Sequence, residues 1–171
     1  RIDNMIDIAG FTRLTERVIS QAIENTGLDY EDWTVRKELR AKPVLHLYLE
    51  LKENGHVTEE EVAVSVHEKL KELDAPYADL ETFIGLRPLE VTLLPENTFR
   101  SYMIRQQAAG ADLAHLKPPH VNLADSIIDS LINGSLAEPV AQEEDYEETV
   151  KRYRMNRRRR QRQPATTKTN K

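Results

Sequence analysis

Between Val44 and Leu51 the chain places a leucine at every second position, Leu45, Leu47, Leu49 and Leu51, with His46, Tyr48 and Glu50 between them. A period of two puts all four leucines on one side of a pleated strand. A strand so apolar on one side has to be covered, which demands a sheet with a second layer packed on it. Pro43 marks the break before this strand, and Asn54-Gly55 is the turn expected to end it.

The neighbouring segments supply the rest of such a unit. Asn4 to Ala9 alternates and stops at Gly10, which predicts a first strand centred on Met5 to Ala9. Thr15 reads as the N-cap of a helix through Thr26, with Leu14, Val18 and Ala22 beside Ile19 and Ile23 as its apolar stripe, and Gly27 closes it. Tyr30 to Leu39 predicts a strand with Trp33 and Val35 on one face and Thr34 and Arg36 on the other. Thr58 and Glu61 fit a capping box for a helix to about Leu73, facing the core with Val62, Val66, Leu70 and Leu73. Pro76-Tyr77 is expected to end that helix, and a loop through Gly85 leads to a last strand in which Leu89, Val91 and Leu93 alternate until Pro95. The order strand, helix, strand, strand, helix, strand predicts an α+β fold. It is the ferredoxin-like β-α-β-β-α-β two-layer sandwich, an antiparallel sheet with helices on one face.

C-terminal helices and a basic tail are appended to this unit. Phe99, Met103 and Gln107 share one side of a short helix that Gly110 releases, and Leu123, Ile127 and Leu131 mark another from about Asn122 to Ile132. Residues 1–134 thus read as one α+β domain. Residues 135–171 read as a tail, acidic and then Arg-rich, helical in part and disordered from Pro164.

Charge separates along the same line. The net charge of −5 hides a balance of −15 over residues 1–150 and ten Lys and Arg without an acid in residues 151–171. An acidic domain argues against a nucleic-acid groove in the domain itself. The run Arg157 to Arg160 reads first as a solvated tail, with a nucleic-acid or anionic-surface contact, or the acidic domain as an intramolecular partner, as its functional alternatives. The chain has no cysteine, which excludes disulfides and thiolate zinc sites. No apolar run reaches the length of a membrane span and no signal sequence opens the chain, so the expected location is the cytoplasm. The first residue is Arg1 rather than Met, which leaves room for an upstream portion.

After Gly110 comes Leu116-Lys117-Pro118-Pro119-His120-Val121, a lysine set between a loop and two prolines, a placement that no packing rule requires. The plain reading is an exposed loop lysine. His115 and His120, five apart across two prolines, match no ligand spacing, and no metal site is expected. His46 reads as a surface or half-buried histidine, and Trp33, Phe99, Tyr102 and Met103 read as packing.

Several short motifs occur in a fixed order: Ile8-Ala9-Gly10-Phe11-Thr12-Arg13-Leu14-Thr15-Glu16, Pro76-Tyr77, Leu86-Arg87-Pro88-Leu89 followed by Asn97-Thr98-Phe99, and Gly110 with Lys117-Pro118-Pro119. Together they resemble the C-terminal domain of the auxin-responsive acyl-acid amido synthetase family, in its bacterial branch, over about Ile2 to Ile132. The resemblance implies an adenylate-forming ligase that uses ATP and Mg to activate a carboxylic acid and then passes the acyl group to an amine. It implies that ATP and Mg are held mainly by an N-terminal adenylation domain, on the same or a split chain, over which the C-terminal domain swivels. Lys117 is then the catalytic lysine brought to the nucleotide, with His120 and Arg87 as weaker nucleotide-binding candidates, and Gly10 to Glu16 lies near the hinge. An ammonium on a long stem suits this task, since it can be delivered to a phosphate and withdrawn.

The sequence departs from the family in two respects. His120 stands where the family commonly has arginine, and His115-Leu116 precedes the lysine where glutamine and an aromatic or polar residue are frequent. No glycine- and serine-rich phosphate loop occurs in the 171 residues, so the chain alone is expected to be catalytically silent. A second function class stays open beside this one. In it the chain is a stand-alone α+β interaction module, binding a protein partner through its sheet edge or acidic face, with the basic tail gripping an anionic partner.

Overall fold

A computed structural model describes residues 5–8, 10, 12–53, 56–85 and 87–134. The turn expected at Asn54-Gly55 and the whole of the acidic and Arg-rich tail lie outside the described residues. Among the described residues, five strands and five α-helices follow in the order β1 (Met5–Ile8), β2 (Thr12–Thr15), α1 (Glu16–Asn25), β3 (Tyr30–Leu39), β4 (Pro43–Leu51), α2 (Glu59–Leu73), α3 (Ala75–Ile84), β5 (Leu89–Leu94), α4 (Thr98–Ala108) and α5 (Asp125–Gly134), with a short 3-10 turn at Leu113–His115. The class is α+β, as the patterns require.

The strand pairing differs from the ferredoxin-like expectation in three respects. First, the opening strand does not enter the main sheet. Asp7 Oδ1 accepts from the Gly10 amide at 2.7 Å, Gly10 turns at φ 75°, and β1 pairs antiparallel with β2. Leu14, expected on the helical stripe, therefore belongs to β2, opposite Ile6. Second, the main sheet has the order β3-β4-β5, and β4 and β5 run parallel. A parallel pair needs a long crossover, and here two helices supply it. The segment expected to be a loop after Pro76 is the helix α3. Asp74 Oδ1 accepts from the Tyr77 amide at 2.7 Å, and Pro76 sits in the first turn, where its missing N–H removes no helical bond.

Third, the sheet is covered on both faces. Leu45, Leu47, Leu49 and Leu51 are buried with Trp33 and Val35 against the hairpin, α1, α2 and α3. At roughly 1.5–3 kcal/mol for each fully buried leucine, this layer is a large stabilising contribution to the domain. The opposite face of β4, which alternation marks as polar, is buried too. Tyr48 and Leu94 pack there with Phe99, Tyr102, Leu123, Ile128 and Leu131, so the appended helices form a third layer. Arg105 ties that layer together by donating to the carbonyls of Ser130 and Gly134, both at 2.8 Å. The cover over this face also explains the burial of Glu50, whose carboxylate accepts from the amides of Asn97 (2.6 Å) and Phe99 (2.9 Å) and so caps α4.

Candidate functional site

The segment carrying Lys117 lies along the free edge of β3. The Val35 amide donates to the His120 carbonyl at 2.8 Å, the Asn122 amide donates to the Val35 carbonyl at 3.0 Å, and Val121 forms a parallel bridge with Val35. Thr34 Oγ1 donates to the Pro119 carbonyl at 2.9 Å, and Asn122 Nδ2 donates to the Met5 carbonyl at 3.0 Å. Asn122 itself sits at φ 60°, a conformation that asparagine adopts more readily than most residues. Within this strap Leu116 and Pro118 are buried, while Lys117 between them is exposed. The local alternation therefore points the lysine outward, and the two prolines narrow the backbone that carries it.

Lys117 does not stand alone. Its ammonium donates to Asp32 Oδ2 at 2.8 Å, while the other oxygen of that carboxylate lies 3.0 Å from His120 Nε2 and accepts from the Trp33 amide at 3.0 Å. His120 Nδ1 lies 2.8 Å from Glu16 Oε1, and the imidazole stacks on the Trp33 ring at 4.5 Å with the planes 13° apart. One carboxylate thus holds an ammonium and an imidazole of different character. The Lys117 side chain is 63% exposed on a flexible stem, whereas His120 is clamped between two acids and an indole; the Asp32 side chain is only 11% exposed.

The titration behaviour follows from these contacts. The bond from Asp32 raises the His120 pKa above its ordinary value; burial opposes it, and Glu16 adds to the rise. Burial pushes the Asp32 carboxyl up, but the bonds from His120 and Lys117 outweigh that and hold it below its ordinary value. An ion pair with so exposed an ammonium contributes about 0–1 kcal/mol, so Lys117 can leave Asp32 for a phosphate at little cost. Stripping a mostly buried carboxylate of every partner costs about 3–5 kcal/mol, and His120 prevents that.

An open groove of about 580 Å³ runs over Lys117, Pro118, Pro119 and His120 and reaches Glu16. Two acids beside one lysine and one histidine do not make a pocket that retains a polyphosphate by itself. Among the described residues no group of three or more His, Asp or Glu is arranged to hold a metal ion, and no helix is long and apolar enough to cross a membrane. The arrangement suits a single ammonium offered to an anion that another surface grips.

Of the candidates singled out from sequence, Lys117 and His120 are brought together, and Arg87 is not. Arg87 Nη2 binds both carboxylate oxygens of Glu60, at 2.9 and 2.8 Å, beside β5, which is the opposite edge of the sheet from the strap. Trp33 is packing, as expected, but its ring also supports His120. His46 is part of a separate ion network: Glu38 Oε1 lies 3.0 Å from His46 Nδ1, and Arg36, Arg40 and the Tyr48 hydroxyl also bind that carboxylate. Burial raises the Glu38 pKa, but the bonds from Arg40 and Arg36 prevail and lower it to about 2. Asp32 was not singled out from sequence, since one acid in an alternating strand looks like any solvent-facing position.

The family model for the GH3 family C-terminal domain matches residues 13–125, a span that takes in Asp32, Lys117 and His120. The chain belongs to the GH3 family. The matched portion of this GH3 domain starts in β2 and ends at the first residue of α5. Among solved structures, it is similar to the GH3.15 acyl acid amido synthetase, with a TM-score of 0.58 at 20% identity over 75% of this chain. It is also similar to the AtGH3.15 acyl acid amido synthetase in complex with 2,4-DB, with a TM-score of 0.58 at 17% identity over 74% of this chain. The GH3 domain spans about a quarter of those two chains, 24% and 25% of their length. No curated protein matches it by sequence.

Proposed function

We propose that this chain is the swivelling C-terminal domain of an acyl acid amido synthetase, and that its contribution to the chemistry is the Lys117 ammonium. The reaction has two halves. A carboxylate oxygen attacks the α-phosphorus of ATP and pyrophosphate leaves; an amine nitrogen then attacks the acyl carbon, AMP leaves with the bonding pair, and the amine gives up a proton. ATP is held mainly by an N-terminal domain, together with magnesium, which screens phosphate charge when bound. Negative charge builds on the phosphate oxygens as the first half proceeds, and a positioned cation lowers that barrier.

The observation that carries this reading is the placement of Lys117. It is exposed between buried neighbours, on a strap fixed to β3 by backbone bonds on both sides of Val121, and its present partner is a carboxylate that His120 also contacts. A lysine needed only for folding has no use for such a mount. A domain that approaches the nucleotide in one half-reaction and rotates away in the other requires its cation on a rigid surface strap.

The test is ATP–pyrophosphate exchange with a carboxylic acid substrate, measured on this domain joined to its N-terminal portion. Lys117→Ala is expected to slow exchange by about 10²-fold, the effect of removing one charge-stabilising group. The 171-residue chain alone is expected to show none. An exchange rate untouched by the substitution would overturn the assignment.

A further inference from the structure

Lys117 and His120 take one oxygen each of a single carboxylate, and the two are held very differently. Lys117 reaches Asp32 Oδ2 from solvent, while His120 meets Oδ1 from a ring fixed by Glu16 and stacked on Trp33. From this asymmetry we propose that Asp32 is the positioning residue of the site: it stores the Lys117 ammonium between encounters, and His120 stays behind as the counter-charge when Lys117 is drawn to a phosphate. The inference rests on the reading of Lys117 given above and extends it to what holds the lysine when no nucleotide is near.

The surroundings of Asp32 make a resident cation necessary. Glu16 faces the imidazole from α1, Glu50 lies opposite Asp32 on β4, and Tyr30 and Glu31 precede it on β3; among the described residues the cationic partners of this carboxylate are Lys117 and His120. If His120 were neutral, withdrawal of Lys117 would leave Asp32 charged, mostly buried and beside two further acids. Release of the lysine is therefore coupled to a proton on His120. A permanent cation at position 120 would lack that coupling, and a neutral residue there would hold Lys117 back.

The coupling can be read without any nucleotide chemistry, by following the ¹³C-labelled His120 ring in the full 171-residue chain through a pH titration by NMR. Its midpoint is expected above the ordinary histidine value. Asp32→Asn should weaken its proton affinity about tenfold, which is one pH unit. Lys117→Met, an exposed site where folding is not at risk, should strengthen it about twofold, since the competing cation is gone. A His120 midpoint that stays put in Lys117→Met, in spectra that show a preserved fold, overturns the proposal. In the domain joined to its N-terminal portion, exchange should fall on the alkaline side of that midpoint, and His120→Arg should abolish the fall; a fall that persists in His120→Arg likewise overturns it. The two readings fail separately. Unimpaired exchange in Lys117→Ala would remove the role of the lysine and leave the NMR coupling standing, whereas absent coupling would remove the storage role of Asp32 and leave the lysine.

Discussion

The Thr34 hydroxyl, buried at the centre of β3, donates to the Pro119 carbonyl at 2.9 Å and so joins the core of the sheet to the strap that carries Lys117. The bond has no role in covering apolar surface, because a valine would fill the same space. Thr34→Val is therefore expected to cost about 1 kcal/mol, the net value of one hydrogen bond, with a larger local effect. Amide exchange at Val35 and Asn122, whose N–H groups bridge β3 and the strap, should accelerate more than exchange in α2. Uniform acceleration throughout the domain would mean that the strap is held by its backbone bonds alone.

Two histidines give the stability of the domain opposing pH dependences. The His120 pKa is raised, chiefly by Asp32, so its contribution is complete below the unfolded value of 6.5 and disappears as pH rises through the folded one. His67 is buried in α2, where burial lowers its pKa, although Glu81 pulls the other way. Its contribution is complete above 6.5 and disappears as pH falls toward the folded value. Chemical denaturation across pH 5 to 8 should show a maximum near 6.5. Asp32→Asn should flatten the alkaline limb and leave the acid limb in place, and a change confined to the acid limb would contradict the assignment.

What sequence could show depended on whether the governing interaction was local. The helix at Thr15 and the capping box at Thr58 were legible because their determinants lie within three residues, and both bonds are present, Val18 N to Thr15 Oγ1 at 3.3 Å and Glu61 N to Thr58 Oγ1 at 3.2 Å. Pro76 misled because a proline ends a helix or starts one according to what caps it, and the deciding bond comes from Asp74. Tyr48 and Glu50 read as part of a polar face because their cover, α4 and α5, arrives from some 50 to 80 residues further along the chain. Leu73, on the helical stripe, emerges exposed at the end of α2. The lysine of the site was visible through its prolines, whereas its partner Asp32, 85 residues away, was not.

The Thr58 box offers a measurement of how far α2 depends on its start. Thr58 Oγ1 accepts from the Glu61 amide, and Glu61 Oε2 accepts from the Thr58 amide at 2.8 Å. Thr58→Ala should destabilise the domain by about 1 kcal/mol. Leu47→Ala, in the fully buried layer beneath the same helix, should cost about 2–5 kcal/mol. Equal losses in the two variants, measured by urea titration, would indicate that the helix start, and not the leucine layer, limits stability.

Glu50 separates charge from hydrogen bonding in the third layer. Its buried carboxylate accepts two amides at the start of α4, yet burial raises its pKa, despite those bonds, which lower it. A raised carboxyl contributes fully below its unfolded value near 4.5, and that contribution is lost as pH rises through the folded one. Glu50→Ala leaves the buried Phe99 donor unsatisfied, at about 1–3 kcal/mol, and frees the part-buried Asn97 donor as well, with exchange at Phe99 and the first turn of α4 accelerated most. Glu50→Gln removes the buried charge and keeps one acceptor oxygen, so at pH 7 it should lose well under half as much stability as Glu50→Ala. Its stability should also vary less between pH 4.5 and 7 than that of the parent. Comparable losses for the two substitutions would show that α4 is held by the charge of Glu50 rather than by its capacity to accept.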